Sequence, residues 1–146
     1  MAYNESHPLR EYVRQRANHR CEYCMVLDED SLDVTVFCEE HIIPRIKFED
    51  NDPCRDHPDN LAWACPRCNG HKWQKVTAED PATNELVSLF NPRTQKWTEH
   101  FSVSPSGHIN GLSPVGRATV QALGLNFEER VKVRLRKYTI GSWPGF

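Results

Sequence analysis

Arg20-Cys21-Glu22-Tyr23-Cys24 and Cys65-Pro66-Arg67-Cys68-Asn69 decide how this chain is read. Each holds a C-x-x-C pair, and forty residues separate Cys24 from Cys65. A C-x-x-C turn points two thiolates the same way, and zinc accepts four sulfurs in a tetrahedron. Cys21, Cys24, Cys65 and Cys68 are therefore expected to form one structural Zn2+ site. Two unrelated redox or buried pairs are the alternative. A complete sulfur shell leaves no open position for water, so any chemistry has to lie elsewhere. Cys38 and Cys54 stand alone and read as ordinary thiols, the first a small buried residue and the second a loop residue.

Outward from these pairs the chain has the composition of a soluble globular protein. It has 146 residues, 38% of them hydrophobic and 26% charged. That length buries a core without help from a metal. The apolar runs are too short to span a membrane, and the opening MAYNESHPLREYV lacks the apolar stretch of a secretory signal. A cytoplasmic location with reduced thiols is the expectation. The net charge of −2 argues against non-specific coating of nucleic acid, which rests on phosphate neutralisation. The charge is unevenly placed, however. Arg10, Arg14, Arg16 and Arg20 mark the first segment, and Arg130, Lys132, Arg134, Arg136 and Lys137 the last. Glu49, Asp50, Asp52, Asp56 and Asp59 make an acidic loop between them.

The patterning predicts a mixed α+β fold. Ser6 and Pro8 open a short amphipathic helix through about Ala17. Asp33 to Phe37 alternates like a strand that leads into Glu40-His41, and Leu61-Ala62-Trp63-Ala64 is a short apolar run. Asn69 to Lys75 reads as helical. Glu85–Phe90, Trp97–Val103 and His108–Leu112 read as a small β-meander. Ser113-Pro114 starts a helix through about Leu123, and Asn126 with Glu129 reads as the capping box of a last helix carrying Val131, Leu135 and Tyr138. Residues 1–77 are expected to be a zinc-clasped core. Residues 78–146 add the meander and helices, packed as part of the same domain.

Between the cysteine pairs lie Glu40-His41-Ile42-Ile43-Pro44-Arg45 and Asn60-Leu61-Ala62, and Asn69-Gly70-His71-Lys72 follows the second pair. With Arg20-Cys21-Glu22-Tyr23-Cys24 in front, this order resembles the HNH endonuclease family, in its branch with a structural four-cysteine zinc site. Leu89-Phe90-Asn91-Pro92-Arg93, Trp97, His100-Phe101 and Gly116-Arg117-Ala118-Thr119 are similar to the C-terminal half of the same group. The likeness runs roughly over residues 9 to 137. It implies a ββα-metal core, a hairpin and a helix around one divalent cation, and metal-dependent hydrolysis of phosphodiester bonds, with DNA as the partner and RNA or branched DNA as the alternatives. In that scheme His41 is the general base, Asn60 orients it, and Glu40 and Asn69 hold the catalytic Mg2+ or Mn2+.

The chemistry of these residues agrees with that scheme. Hydrolysis of a phosphodiester needs a deprotonated water and a stabiliser of new negative charge. A histidine titrating near neutrality suits the first task, and a hard cation on oxygen ligands suits the second. A set of Glu40, Asn69 and waters favours magnesium or manganese. Strand alternation, however, points Glu40 and His41 to opposite faces unless the chain bulges.

Blander readings stand beside these. His41 alone could be a core histidine, and Asn60 a turn residue. Lys72 and Lys75 are phosphate contacts or a solvated helix face. His71 falls on another side of its helix from Asn69, which makes it a phosphate contact or a surface residue. His100, Arg93 and Arg117 read as packing residues before substrate contacts. One departure from the family is the segment Ile46–Asp59, which is long, acidic and without glycine, so it repels phosphate. Its His57 is a rival for the role of base. The alternative function is a non-enzymatic zinc-ribbon module that binds nucleic acid or protein, for which Glu40, His41 and Asn69 have no use.

Overall fold

The computed structural model describes residues 9–30 and 37–141. The expected start at Ser6 and Pro8 and the strand over 33–36 lie outside them. Helix α1 (Leu9–Arg16) buries Val13, with Leu9 and Tyr12 packed against the same core, as the helical period predicts. Its basic side chains are mostly engaged in holding the fold. Arg14 grips the Asp28 carboxylate through Nε at 2.6 Å and Nη2 at 3.1 Å. Arg16 donates to the Leu61 carbonyl at 2.8 Å, and the Arg10 guanidinium lies 4.6 Å over the Trp63 ring.

Past the first cysteine turn, strand β1 (Cys38–His41) pairs antiparallel with β2 (Leu61–Ala64), Glu40 opposite Ala62 and His41 opposite Leu61. Every residue of β2 is buried. Trp63 is clamped by Glu22, which accepts from its backbone N–H, and by Asp28, which accepts from its indole. Helix α2 (Pro66–Lys72) follows directly, with Cys65 as N-cap and proline in its first turn. It stops at Lys72, short of the expected Lys75, because Trp73 turns into positive φ at 45°.

The expected meander is not formed among the described residues. Strands β3 (Thr77–Glu79) and β4 (Leu86–Ser88) form one hairpin, while β5 (Phe101–Val103) and β6 (Ile109–Gly111) form another, so the described residues hold three separate two-stranded sheets. Trp97–His100 is a helical turn, α3, rather than strand. Its helical spacing stacks Trp97 on Phe101 at 4.9 Å and sends the Trp97 indole N–H to the Tyr23 carbonyl at 2.9 Å. A strand would have put these two rings on one face without that anchor.

Helix α4 (Pro114–Leu123) has the expected bounds, with Ser113 capping its start and Gly124 its end in the left-handed region. Its Gly116 sits so close to the His100 carbonyl that a Cβ would come within 2.0 Å of it. Helix α5 (Glu128–Thr139) departs from expectation twice. Asn126 is not its cap, because the carboxamide is given to Ile109, accepting its N–H at 2.8 Å and donating to its carbonyl at 2.9 Å. The buried side chains of α5 are Arg130 and Arg134, while Leu135 and Tyr138 are exposed. One apolar core joins α1, both cysteine turns, the β1–β2 hairpin, Phe90, Trp97, Phe101, Ile109, Leu123 and Leu125. No helix among the described residues is long and apolar enough to cross a membrane.

Candidate functional site

Cys21, Cys24, Cys65 and Cys68 are all buried, and their sulfurs lie within 4.8 Å of one another. The Cys24 and Cys65 sulfurs are 3.8 Å apart. Four sulfurs about 2.3 Å from one zinc ion stand about 3.8 Å from each other, so the donor set fits that metal. Each turn aims a backbone N–H at its own first sulfur: Cys24 at Cys21 at 3.5 Å, and Cys68 at Cys65 at 3.4 Å. Hydrogen bonds from the other three cysteines pull the Cys65 thiol far below the ordinary thiol range. Two guanidiniums stand behind the sulfurs. Arg134, fully buried, donates to the carbonyls of Gly107, Leu125 and Cys24 at 2.7, 2.6 and 3.5 Å. Arg130 lies beside Cys65; burial disfavours its charge, and the nearby cysteine sulfurs more than offset that.

Both turns also converge on Glu40. Tyr23, between the first two cysteines, donates its hydroxyl to Glu40 Oε2 at 2.7 Å. Lys72, four residues past Cys68, donates its ammonium to Glu40 Oε1 at 2.6 Å and to the carbonyls of Ile42 and His41 at 2.8 and 3.3 Å. The three side chains are buried, Glu40 at 3% exposure and Lys72 at 1%. Burial pushes the Glu40 carboxyl up, and Lys72 and Tyr23 act against that push. Lys72 is thus neither a phosphate contact nor part of a solvated face. Its stem crosses the core to an internal carboxylate.

His41 points the other way, as strand alternation requires, and its side chain is 23% exposed. Its Nε2 lies 2.8 Å from Asp56 Oδ1. Asn60 is buried, and its Nδ2 donates to the Ile43 and Arg55 carbonyls at 3.0 and 2.9 Å. Its Oδ1 accepts from the Ile43 N–H at 2.9 Å. Asn69, half-buried, stands one helical turn before Lys72 on α2. The structure thus brings Asn60 to the His41 end of the hairpin and sets Glu40 behind the strand.

His57 is an exposed N-cap that accepts from the Asp59 N–H at 3.1 Å, and His71 is exposed. His100 packs near Phe90 and pairs through Nδ1 with Ser113 Oγ at 2.6 Å. Arg93 pairs with Glu22, and Arg117 with Asp80 at 2.8 Å, which agrees with packing for all three residues. Sequence reasoning missed Tyr23, Lys72 and Asp56 as partners of Glu40 and His41. The three-residue step from Asn69 to Lys72 was a usable signal, since it places both on neighbouring faces of one helix. Nothing in the acidic loop singled out Asp56.

Comparison with protein-family profiles, curated proteins and solved structures gives no match. The fold and site define a mixed α+β protein with several small antiparallel sheets and a buried four-cysteine cluster able to hold a metal ion, compatible with a zinc-clasped module.

Proposed function

We propose that the protein is a metal-dependent endonuclease of the HNH type, hydrolysing phosphodiester bonds in DNA. The observation that carries this reading is a partly exposed histidine, His41, held by a carboxylate at the loop end of the β1–β2 hairpin. The adjoining helix is clasped to the first cysteine turn by the cysteine cluster and to the hairpin by Lys72 and Glu40. Cys21, Cys24, Cys65 and Cys68 hold a structural zinc ion. His41 takes the proton from the attacking water, and Asn60 braces the backbone on either side of the reacting end. Glu40 and Asn69 are the ligands for the Mg2+ or Mn2+ that neutralises charge on the phosphate. Engaging Glu40 there requires Lys72 to give up its carboxylate oxygen.

That requirement is also the observation favouring a second reading, a zinc-clasped module that binds nucleic acid or protein without cutting. In it, the Glu40–Lys72 pair is structural and permanent. Nicking of supercoiled plasmid by the zinc-loaded protein decides between them, with and without added magnesium or manganese, wild type against His41→Ala. Metal-dependent nicking lost in the variant supports the nuclease. Nicking unchanged by the substitution removes His41 as base. Binding of plasmid without nicking, by a folded zinc-loaded protein, supports the module.

A further inference from the structure

We infer that Asp56 is the positioning residue of His41, selecting which imidazole nitrogen acts as the base; this rests on the nuclease reading above. A carboxylate only accepts hydrogen bonds, so the 2.8 Å contact to Asp56 Oδ1 requires the proton on Nε2. In the neutral ring that leaves the lone pair on Nδ1, the nitrogen that can take a proton from water. Asp56 is itself held. Arg55 donates to its other oxygen through Nε at 3.3 Å and Nη2 at 3.2 Å, and Arg45 Nε stands 3.9 Å from Oδ1. Asn60 completes the frame, because the Arg55 carbonyl it holds is next to Asp56 in the chain and the Ile43 it holds lies two residues past His41. Asn60 thus reaches His41 from both sides, once through the strand and once through Asp56.

The charged groups around the imidazole are consistent with this role. Arg45 and Arg55 flank Asp56 on the loop side, so at His41 the acidic segment presents a carboxylate already offset by two cations. Behind the strand, Glu40 is closed off by the Lys72 ammonium, which also reaches the His41 carbonyl. Asp56 is therefore the carboxylate that meets the imidazole directly. The hydrogen bond from His41 holds its carboxyl below the usual range.

The test uses the full zinc-loaded chain and two readouts. In a carbon-13 titration, the Asp56 carboxyl is expected to titrate below the ordinary carboxylate range in the wild type and to move up in His41→Ala. In plasmid cleavage with magnesium, Asp56→Ala is expected to lower kcat by roughly 10- to 100-fold, the scale of losing a group that orients a reacting ligand, with KM little changed. Asp56→Glu, which keeps a carboxylate at an exposed loop position, is expected to recover part of the rate. An Asp56 titration indifferent to His41→Ala overturns the pairing, and an Asp56→Ala variant that cleaves like wild type overturns the positioning role. Should the wild type cut nothing, the nuclease reading fails, and the titration alone then upholds or overturns the pairing.

Discussion

Replacing Lys72 with methionine isolates the buried pair on which both cysteine turns converge. The methionine side chain keeps most of the volume of the lysine stem but leaves Glu40, 3% exposed, facing only the Tyr23 hydroxyl. Removing one partner of a buried ion pair costs about 3–5 kcal/mol, because the other charge is left uncompensated. For a chain of this length that is a drop in Tm of about 10–15 °C. The pH dependence has a definite sign. Burial already places the folded Glu40 carboxyl above its ordinary value, and losing the ammonium, which opposes that shift, raises it further. Between the unfolded value, about 4.3, and the higher folded one, the native state binds more protons. Stability therefore falls as pH rises through that window, and the deficit of Lys72→Met is smaller at pH 4 than at pH 7. Glu40→Gln combined with Lys72→Met leaves no charge at this buried site and is expected to regain most of the loss. The assay is urea unfolding followed by tryptophan fluorescence, with zinc saturating throughout. A Lys72→Met protein within about 0.5 kcal/mol of wild type at pH 7, the scale of an ordinary surface change, would refute the burial argument. So would a double variant no more stable than the single one.

Cys68→Ser removes one sulfur of four. Structural zinc contributes on the order of 10–16 kcal/mol of apparent binding free energy, as much as a whole domain's stability. The variant is expected to lose stoichiometric zinc and its cooperative melt, and an unaltered melt argues against the clasp. Asp80→Asn probes acid stability. Arg117 donates to both Asp80 oxygens at 2.9 and 2.8 Å, and its guanidinium holds that carboxyl well below the carboxylate range. With the folded value depressed, the contribution is present above the unfolded value of about 3.9 and lost as pH falls toward the folded one. The wild type is thus expected to lose more stability than Asp80→Asn between pH 5 and strongly acid solution, and equal losses would remove the pair as a stabiliser.

What was legible in the sequence had a short-range cause. The cysteine cluster follows from two local turns, and α1 and α4 follow from apolar spacing, α4 also from a Ser-Pro start and a Gly stop. The register of Glu40 and His41 follows from the strand period of two. The errors came where tertiary partners override local signals. Asn126 looks like a helix cap but is taken by Ile109 across a turn, and Trp97 looks like a strand residue but is drawn into a helical turn by the Tyr23 carbonyl and the Phe101 ring. The last helix has a visible apolar stripe, yet it buries two arginines instead, because carbonyls and the cysteine cluster supply their partners.

The same distinction applies to the candidate site. A sequence motif names residue types, but a carboxylate's availability depends on what else reaches it. The motif assigns Glu40 to a cation, and Lys72 Nζ stands 2.6 Å from its Oε1. An ammonium in that place satisfies the carboxylate electrostatically just as a metal ion would, so the pair and the cation are competitors for one set of oxygens. Competition has a measurable sign. If magnesium engages Glu40, it displaces Lys72, and Lys72→Met should bind magnesium more tightly than wild type while being less stable without it. If Glu40 is only a strut, magnesium affinity is the same in both proteins and the stability loss is not relieved by the ion. Isothermal titration of the two proteins with magnesium, zinc held constant, separates a ligand from a strut without reference to cleavage.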